Sequence, residues 1–378
     1  MTKGKALLIA CGALALLSLV LVAIREVRKA SEIKIGLLVN LSGPGGKAGR
    51  YIRDGFLFET ERCRLRLNPL VGDYDESDET LKKRIDELYE QGVRIFLGPV
   101  TSHSTRVAVK YAEETGKDLV IISPYSATTK LSQREDVFIR TCIDNNYFTK
   151  ALIRWLKRNG IKSLFAIADT INPEFTLDIL DRVLKTAPRN QIEVAWITIN
   201  SKRELKLKEI VEKASPYQAI LLLTRTRESA IIAQKLRSAG YTGRFVATVW
   251  SQIPELIEWG GKAVEGLTII SFVKPKYSSS KFKTYDKIFR QKAGYPLNAR
   301  AVRAIEATEI LCSTLEELNK RGENPTPANV LKHLTNRGYR TIMDSVFIDR
   351  YGDAFRPVYE ISIEGGAFKL TGAILYEH

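Results

Sequence analysis

Short runs of aliphatic and β-branched residues alternate along this chain with stretches in which apolar residues recur at helical spacing. In residues 78–91, for example, Leu81, Ile85 and Leu88 recur every three or four positions and predict a helix with one buried face. The pattern predicts strands at residues 33–40, 65–73, 93–97, 119–122, 164–169, 193–199, 219–223 and 245–248, and helices at 49–62, 78–91, 105–115, 147–158, 174–186, 202–214 and 228–239.

This alternation of strands and helices predicts parallel sheets that are covered by helices on both faces. Two such series in one chain predict an α/β protein with two doubly wound, Rossmann-like lobes. Ligands of such sheets bind beyond the carboxyl ends of the strands. We therefore expect a binding site in the cleft between the lobes.

The N-terminal region contains an uncharged apolar run at residues 6–24, with basic residues on both sides. Its 19 residues exceed the apolar core of a secretory signal, about 7–15 residues, and nearly reach the ~20 of a spanning helix. No clean small-x-small cleavage site is present. We therefore predict one N-terminal hydrophobic helix within residues 1–30, an uncleaved signal anchor, with a cleaved signal peptide as the alternative. Lipidation at Cys11 is disfavoured, because most of the apolar run follows that cysteine.

Composition narrows the class of protein further. Of the 378 residues, 44% are hydrophobic and 27% charged, which excludes a disordered chain and a polytopic membrane protein. The net charge of +15 is spread without a basic run that carries interleaved aromatic residues, so no nucleic-acid partner is predicted. Cys63, Cys142 and Cys312 fit no metal-ligand spacing, and no metal or other cofactor is predicted. They are expected to be buried thiols, or one pair to form a disulfide in an oxidising compartment.

Polar turns follow three of the predicted strands, at residues 41–49, 98–105 and 122–129. The first lacks GxGxxG, and its Lys47 is not followed by Ser or Thr, which argues against a phosphate-binding loop. Hydroxyl groups and free N–H groups at the start of a helix suit a carboxylate, so the other two turns predict one wall of the cleft. His103 lies beside a serine, but no nucleophile elbow is present and no acid is placed to orient the histidine. An enzyme is therefore not predicted.

Several short motifs keep their order and spacing over more than three hundred residues. They are Ile33-Lys34-Ile35-Gly36 with Ser42-Gly43-Pro44, Gly98-Pro99 with Ser102 and Thr105, Ile122-Ser123-Pro124, Phe138-Ile139-Arg140, Leu236-Arg237-Ser238-Ala239-Gly240, Glu265-Gly266, Phe347-Ile348-Asp349 with Gly352-Asp353, and Tyr359-Glu360-Ile361. In these motifs the chain resembles the type I periplasmic solute-binding proteins, specifically the branched-chain amino acid (Leu/Ile/Val) binding family of ABC transporters.

The resemblance implies a clamp whose two lobes are joined by a three-strand hinge and close on a ligand. The chain would cross between the lobes near Asn145, Ser271 and Thr341. Lobe 1 would then comprise residues 31–144 plus 272–340, and lobe 2 residues 145–271 plus 341–378.

The resemblance also implies a set of ligand-binding residues in lobe 1. The residues that match those holding an α-carboxylate in the family are Ser102, Tyr125, Ser126, Ala127 and Thr128. Ala127 stands where the family has a threonine, with Thr128 beside it. The first cleft loop contributes Ser42 and Ala48, and Ala48 replaces a bulky aromatic residue and leaves space.

In lobe 2 the match is weaker. The family's cleft tyrosine falls near Pro173, with Phe175 as a substitute, and a second aromatic residue falls near Arg225. The acid that pairs with a ligand ammonium falls near Val249, which Trp250 follows. The resemblance thus implies a carboxylate, aromatic acid or amide as ligand rather than an α-amino acid. Alternatively, Glu255 or Glu258 reaches the cleft.

These features together predict an extracytoplasmic receptor that binds a small polar or carboxylate-bearing solute and delivers it to an ABC importer. The alternative is a membrane-anchored sensor of the same fold that reports to a membrane kinase or receptor. The expected partners are the solute, an ABC permease or membrane sensor, and the membrane itself through residues 6–24. The expected location is the periplasm or outer face of the inner membrane, or the exterior after cleavage.

Overall fold

The structure is a computed structural model that describes residues 32–42, 46–75, 77–277 and 279–375. The hydrophobic helix predicted within residues 1–30 lies outside these ranges. Within them, no helix is both long and apolar enough to cross a membrane.

Strands and helices alternate through most of the described chain. The strands are β1 (Ile33–Val39), β2 (Leu67–Asp73), β3 (Ile95–Leu97), β4 (Val120–Ser123), β5 (Phe138–Arg140), β6 (Ser163–Asp169), β7 (Glu193–Ile199), β8 (Ala219–Leu223), β9 (Arg244–Thr248), β10 (Thr268–Ser271), β11 (Arg337–Thr341), β12 (Asp344–Ile348), β13 (Ala354–Phe355), β14 (Val358–Ile363) and β15 (Phe368–Leu375). The helices are α1 (Gly46–Thr60), α2 (Asp78–Glu90), α3 (Ser102–Thr115), α4 (Asn145–Arg158), α5 (Pro173–Thr186), α6 (Leu207–Ala214), α7 (Thr226–Ser238), α8 (Pro254–Gly260), α9 (Ser280–Ala293), α10 (Ala299–Arg321) and α11 (Pro327–Leu334).

The strands and helices predicted between residues 33 and 248 are all present. The largest difference is at α6, which begins at Leu207 rather than at residue 202. The side chain of Asn200 accepts a hydrogen bond from the Lys202 amide, and its carbonyl accepts one from Arg203, so a turn occupies the predicted first helical turn.

Two sheets form the centres of two lobes, as predicted. The first lobe contains the parallel sheet β2-β1-β3-β4-β5. The second contains the sheet β15-β14-β10-β9-β8-β6-β7, in which β6 to β10 are parallel and β14 and β15 are antiparallel. The long helix α10 packs on the first lobe, where Ala304, Ile310 and Leu311 join Ile35 and Phe56 in one buried cluster.

The small antiparallel sheet β11-β12-β13 changes one predicted boundary. Its Tyr339, Val346 and Ile348 are buried in the core of the first lobe. The third passage between the lobes therefore lies between β13 and β14, rather than near Thr341. A hairpin whose apolar side chains cover lobe 1 has no distinctive sequence signal, because its strands are short and half-exposed.

Three segments connect the lobes, namely residues 141–144 after β5, the residues that follow β10, and residues 356–357 between β13 and β14. We call them the first, second and third passages, and one buried ion pair joins them. The Arg356 guanidinium donates to both carboxylate oxygens of Glu306, at 2.5 and 2.9 Å, and both side chains are 1% exposed. Arg356 also donates to the carbonyl of Thr141 in the first passage, and it stacks over the Phe272 ring in the second. A single side chain thus joins all three segments that connect the lobes.

We expect Arg356→Met to destabilise the protein by about 3–5 kcal/mol, because it leaves the Glu306 carboxylate buried without its partner. The double variant Glu306→Met/Arg356→Met should be markedly more stable than the single variant. Urea unfolding measures both. Arg321→Met is the control, since the Arg321 side chain is 56% exposed and its pair with Glu317 should contribute less than about 1 kcal/mol. Equal losses in the single and double variants would contradict the buried-pair explanation.

Candidate functional site

The cleft between the lobes encloses an inner cavity of about 50 Å³. Its walls come from both lobes and are mainly apolar. The lining residues are Val100, Tyr125, Ala127, Cys142, Ile143, Asn145, Phe148, Asn172, Phe175, Thr248, Val249, Trp250, Ile270, Phe272, Arg300 and Arg303. Among these described residues no aspartate, glutamate or lysine is present. The inner cavity therefore combines an apolar wall with two cationic side chains.

Aromatic side chains that follow or flank the strand ends form much of this wall. Phe175 lies in the first turn of α5, Trp250 follows β9, and their rings meet edge to face with centroids 5.5 Å apart. Tyr125 follows β4 from the other lobe, and its hydroxyl donates to the carbonyl of Arg300 at 2.6 Å. The elements therefore bring three predicted site residues, Tyr125, Phe175 and Trp250, to one cavity, together with Ala127.

Two arginines from α10 complete the cavity. The Arg303 guanidinium stacks over the Tyr125 ring at 4.4 Å and donates to the carbonyl of Pro124. Arg300 reaches across the cleft and donates to the carbonyl of Trp250 at 3.1 Å. The sequence signal that could have found both is their spacing of three residues in α10, which places them near one face of the helix.

The serines and the threonine predicted in the turns of lobe 1 line neither this inner cavity nor the larger cavity at the mouth of the cleft. The Ser102 hydroxyl is buried and accepts the amide hydrogen of Ala127 at 3.0 Å. The Thr128 hydroxyl accepts the amide hydrogen of Lys130, and Ser126 is fully buried. Ser42 is exposed and donates to Asp73 at 2.5 Å. In these turns, the hydroxyls of Ser102 and Thr128 accept hydrogen bonds from backbone N–H groups. The resemblance implies instead that these residues contact a ligand.

An outer cavity of about 410 Å³ continues the cleft towards solvent. It shares Val100, Asn172, Trp250 and Arg300 with the inner cavity. The predicted residues Ala48 and Arg225 line it, together with Lys47, Tyr51, His103, Arg227, Glu228 and Glu255. The predicted residues therefore divide between an apolar inner space and a charged outer space.

The alternative acid, Glu255, does reach the cleft. It lies in the first turn of α8 in lobe 2 and contacts α1 of lobe 1 through Lys47, at 2.5 Å, and through the Tyr51 hydroxyl, at 2.8 Å. Burial alone would raise the pKa of Glu255, but the hydrogen bonds from Lys47 and Tyr51 outweigh it, and the net shift is downward. Glu255 is thus an ionised bridge between the lobes at the mouth of the cleft.

A second polar bridge links the lobes at His103. Its Nδ1 lies 2.9 Å from the Glu174 carboxylate in lobe 2, and its Nε2 lies 2.9 Å from Asp78 in lobe 1. Arg106 also donates to Glu174, at 2.8 Å. The hydrogen bond with Glu174 raises the pKa of His103, and the same bond lowers the pKa of Glu174 to about 2. The lobes are therefore closed against each other through charged contacts at the rim.

Among the residues with described positions, no group of three or more His, Cys, Asp or Glu side chains could hold a metal ion. The cleft encloses a cavity that is lined by residues of both lobes. The family model described as periplasmic binding protein matches residues 32–367. The chain belongs to this periplasmic binding protein family. Proteins of this family are binding proteins, and no curated protein matches the chain.

Solved structures of other binding proteins share the fold. The leucine binding protein LivK from Thermotoga maritima is 20% identical, with a TM-score of 0.81 over 90% of this chain and 98% of that chain. LivJ from Streptococcus pneumoniae, in complex with isoleucine, is 14% identical, with a TM-score of 0.77 over 92% and 100%. A solute binding protein from R. palustris, in complex with benzoate, is 15% identical, with a TM-score of 0.78 over 91% and 96%. The family model confirms the predicted family, and these structures confirm the two-lobed fold.

The closed arrangement should weaken as pH rises from 6 to 9. Because the pKa of His103 is raised, its bridge to Glu174 is complete below about pH 6.5 and is lost as pH rises through the raised pKa. The Glu174 carboxylate stays ionised throughout this range. Asp78 faces the same imidazole, and Arg106 and Lys130 face the Glu174 carboxylate. The pair is partly exposed, so the ratio of closed to open molecules should change about fivefold or less.

Small-angle scattering at pH 6 and pH 9 measures this change as an increase in radius of gyration. His103→Gln should remove the pH dependence. His333→Gln is the control, because His333 contacts Glu323 away from the cleft. A pH dependence that survives in His103→Gln and disappears in His333→Gln would contradict the role of the rim bridge.

Proposed function

We propose that this protein is an extracytoplasmic receptor that closes its two lobes on a small polar or carboxylate-bearing solute and delivers the solute to an ABC importer. The observation that carries the proposal is the inner cavity, which both lobes line and which opens through a second cavity at the mouth of the cleft. Closure of both lobes around one small molecule couples occupancy to overall shape, which a membrane partner can recognise.

The relatives support the class of ligand. LivJ was solved with isoleucine and the R. palustris protein with benzoate, and both ligands join a carboxylate to an apolar body. The cavity of this chain offers the same two kinds of contact. We assign the apolar contacts to Tyr125, Ala127, Phe175 and Trp250, and contacts at the mouth of the cleft to Ala48 and Arg225.

The second candidate is a membrane-anchored sensor of the same fold. The observation that favours it is the uncharged run at residues 6–24, which is long enough to remain as an anchor in the inner membrane. Cleavage of this run would instead release the receptor into the periplasm or the exterior. In both candidates the binding lobes lie outside the cytoplasm, and neither has a catalytic step.

Ligand binding should both stabilise the purified full-length protein and make it more compact. At a concentration about 100 times its dissociation constant, a ligand should add ~2.7 kcal/mol of stability. A thermal-shift screen of amino acids, aliphatic and aromatic carboxylates and amides identifies the ligand, and small-angle scattering then measures the decrease in radius of gyration. A compound that raises the melting temperature without changing the radius would contradict closure, and a screen without any stabilising compound would contradict the receptor function.

Transport and sensing are distinguished in cells. If the protein serves an importer, deletion of its gene should abolish uptake of the radiolabelled ligand at micromolar concentration. If it serves a sensor, uptake should continue and only the response to the ligand should be lost. Protease added to intact spheroplasts should digest the lobes in both cases, and full protection before lysis would contradict an extracytoplasmic location.

A further inference from the structure

Arg303 is buried and Arg300 is half-buried, and within the described chain neither has a carboxylate within ion-pair distance. Arg140 pairs with Asp353 at 2.9 Å, and Arg356 pairs with Glu306. In the part of the chain that the structure describes, neither Arg300 nor Arg303 forms an ion pair, and their hydrogen bonds go to the carbonyl oxygens of Trp250 and Pro124. Burying a cation without a counter-charge is unfavourable, so an anion is the expected missing partner.

The position of Arg300 increases this need. It is the second residue of α10, where the helix dipole is positive and disfavours a cation. Its Nε is shielded from solvent and has no hydrogen-bond partner, and the Arg303 side chain is 6% exposed. Burial, together with the nearby Arg303 charge, lowers the pKa of Arg300 to about 10, so the side chain stays charged at neutral pH. An anion in the cavity would meet a free N–H donor and two positive charges.

Ser102 and Thr128, in the turns of lobe 1, are not placed to bind an anion in the inner cavity, whereas the two arginines are. The hydroxyl oxygen of Ser102 accepts the amide hydrogen of Ala127, and that of Thr128 accepts the amide hydrogen of Lys130. Neither side chain lines the inner cavity. The guanidinium groups of Arg300 and Arg303 are the charged hydrogen-bond donors among the described residues that line the inner cavity. A guanidinium can bind a carboxylate through two parallel hydrogen bonds.

The rest of the inner cavity decides what the carboxylate is attached to. Phe148, Phe175, Trp250 and Phe272 present aromatic surfaces, and no acidic side chain is among the lining residues that the structure describes. Glu255 lines the outer cavity, where its Oε1 contacts Lys47 and Tyr51 and its buried Oε2 has no hydrogen-bond partner among the described residues. In the inner cavity, a ligand ammonium would lie beside two arginines, with no carboxylate among the lining residues to receive it.

We infer that Arg300 and Arg303 bind the carboxylate of a small apolar acid, aromatic or branched aliphatic, that carries no ammonium group. The inference rests on the proposed receptor function and specifies the ligand of that site. The bound carboxylate would be the counter-ion of Arg300 and Arg303, as Asp353 is of Arg140 and Glu306 is of Arg356.

Isothermal titration calorimetry with matched probes tests the ligand class on the purified full-length protein. Benzoate should bind at least about tenfold more tightly than benzamide, which has the same shape but no charge. Likewise, 4-methylpentanoate should bind at least about tenfold more tightly than leucine, which differs only by its ammonium group. The better of the two carboxylates indicates whether the body of the ligand is aromatic or aliphatic.

Substitution of Arg300 tests the assigned residues. Arg300→Gln should weaken binding of the better carboxylate about ten- to a hundredfold, the range for hydrogen bonds to charged groups. Arg300→Lys keeps the positive charge but cannot form the bidentate pair of hydrogen bonds, so it should give an intermediate affinity. The control, Arg321→Gln, lies at the opposite end of the same helix on an exposed surface and should leave the affinity unchanged.

The melting temperature without ligand separates a binding role from a structural one. Removal of an unpaired buried charge should leave the melting temperature of Arg300→Gln equal to or above that of the wild type. A drop of several degrees together with lost binding would overturn the inference. Tight binding of leucine with unchanged affinity in Arg300→Gln would also overturn it while the receptor function stands. Failure of every solute in the wider screen would instead remove the receptor function itself.

Discussion

The guanidinium group of Arg356 lies where the chain passes three times between the lobes, and its ion pair with Glu306 fixes that crossing point. It donates to Thr141 in the first passage and stacks on Phe272 in the second. The passages border the cleft, since Cys142 in the first and Phe272 in the second line its inner cavity. The cleft, its cavities and the closing motion all depend on this arrangement.

Closure combines two kinds of interaction with different physical properties. The rim carries charged bridges, His103 with Glu174 and Lys47 with Glu255, which depend on pH and on salt. The interior is largely apolar and excludes water, which strengthens any charge–charge contact made inside it. The rim therefore sets how easily the lobes meet, and the interior sets which molecule keeps them together.

Most of the fold could be predicted from local sequence patterns. The period of apolar residues gave helices such as α2 and strands such as β8 with nearly correct ends, because each has one strongly buried face or is buried throughout. The hairpin of β11 and β12 was divided between the lobes, because its short, half-exposed strands do not reveal which core they pack on. Long-range packing has no local signature.

The site was predicted less completely, for a different reason. The turns after β3 and β4 do border the cleft, but a motif does not reveal that the Ser102 side chain lies outside its cavities and accepts the amide hydrogen of Ala127 in the neighbouring turn. The arginines were overlooked because their helix comes from a late part of the chain and reaches the cleft through long side chains. Tyr125, Phe175 and Trp250, which the family resemblance implied, do line the inner cavity, and their contact with a ligand stays a prediction.

One helix carries both ends of this machinery. Arg300, Arg303 and Glu306 lie within seven residues of α10, so the cavity and the crossing point are separated by about 9 Å along a single hydrogen-bonded rod. A tilt of α10 would therefore move the cavity residues Arg300 and Arg303 and the crossing-point residue Glu306 together. Sharing one helix also makes its register indispensable. Insertion of one residue between Arg303 and Glu306 would rotate one functional end against the other by about 100°, and no change elsewhere in the lobes could restore their alignment.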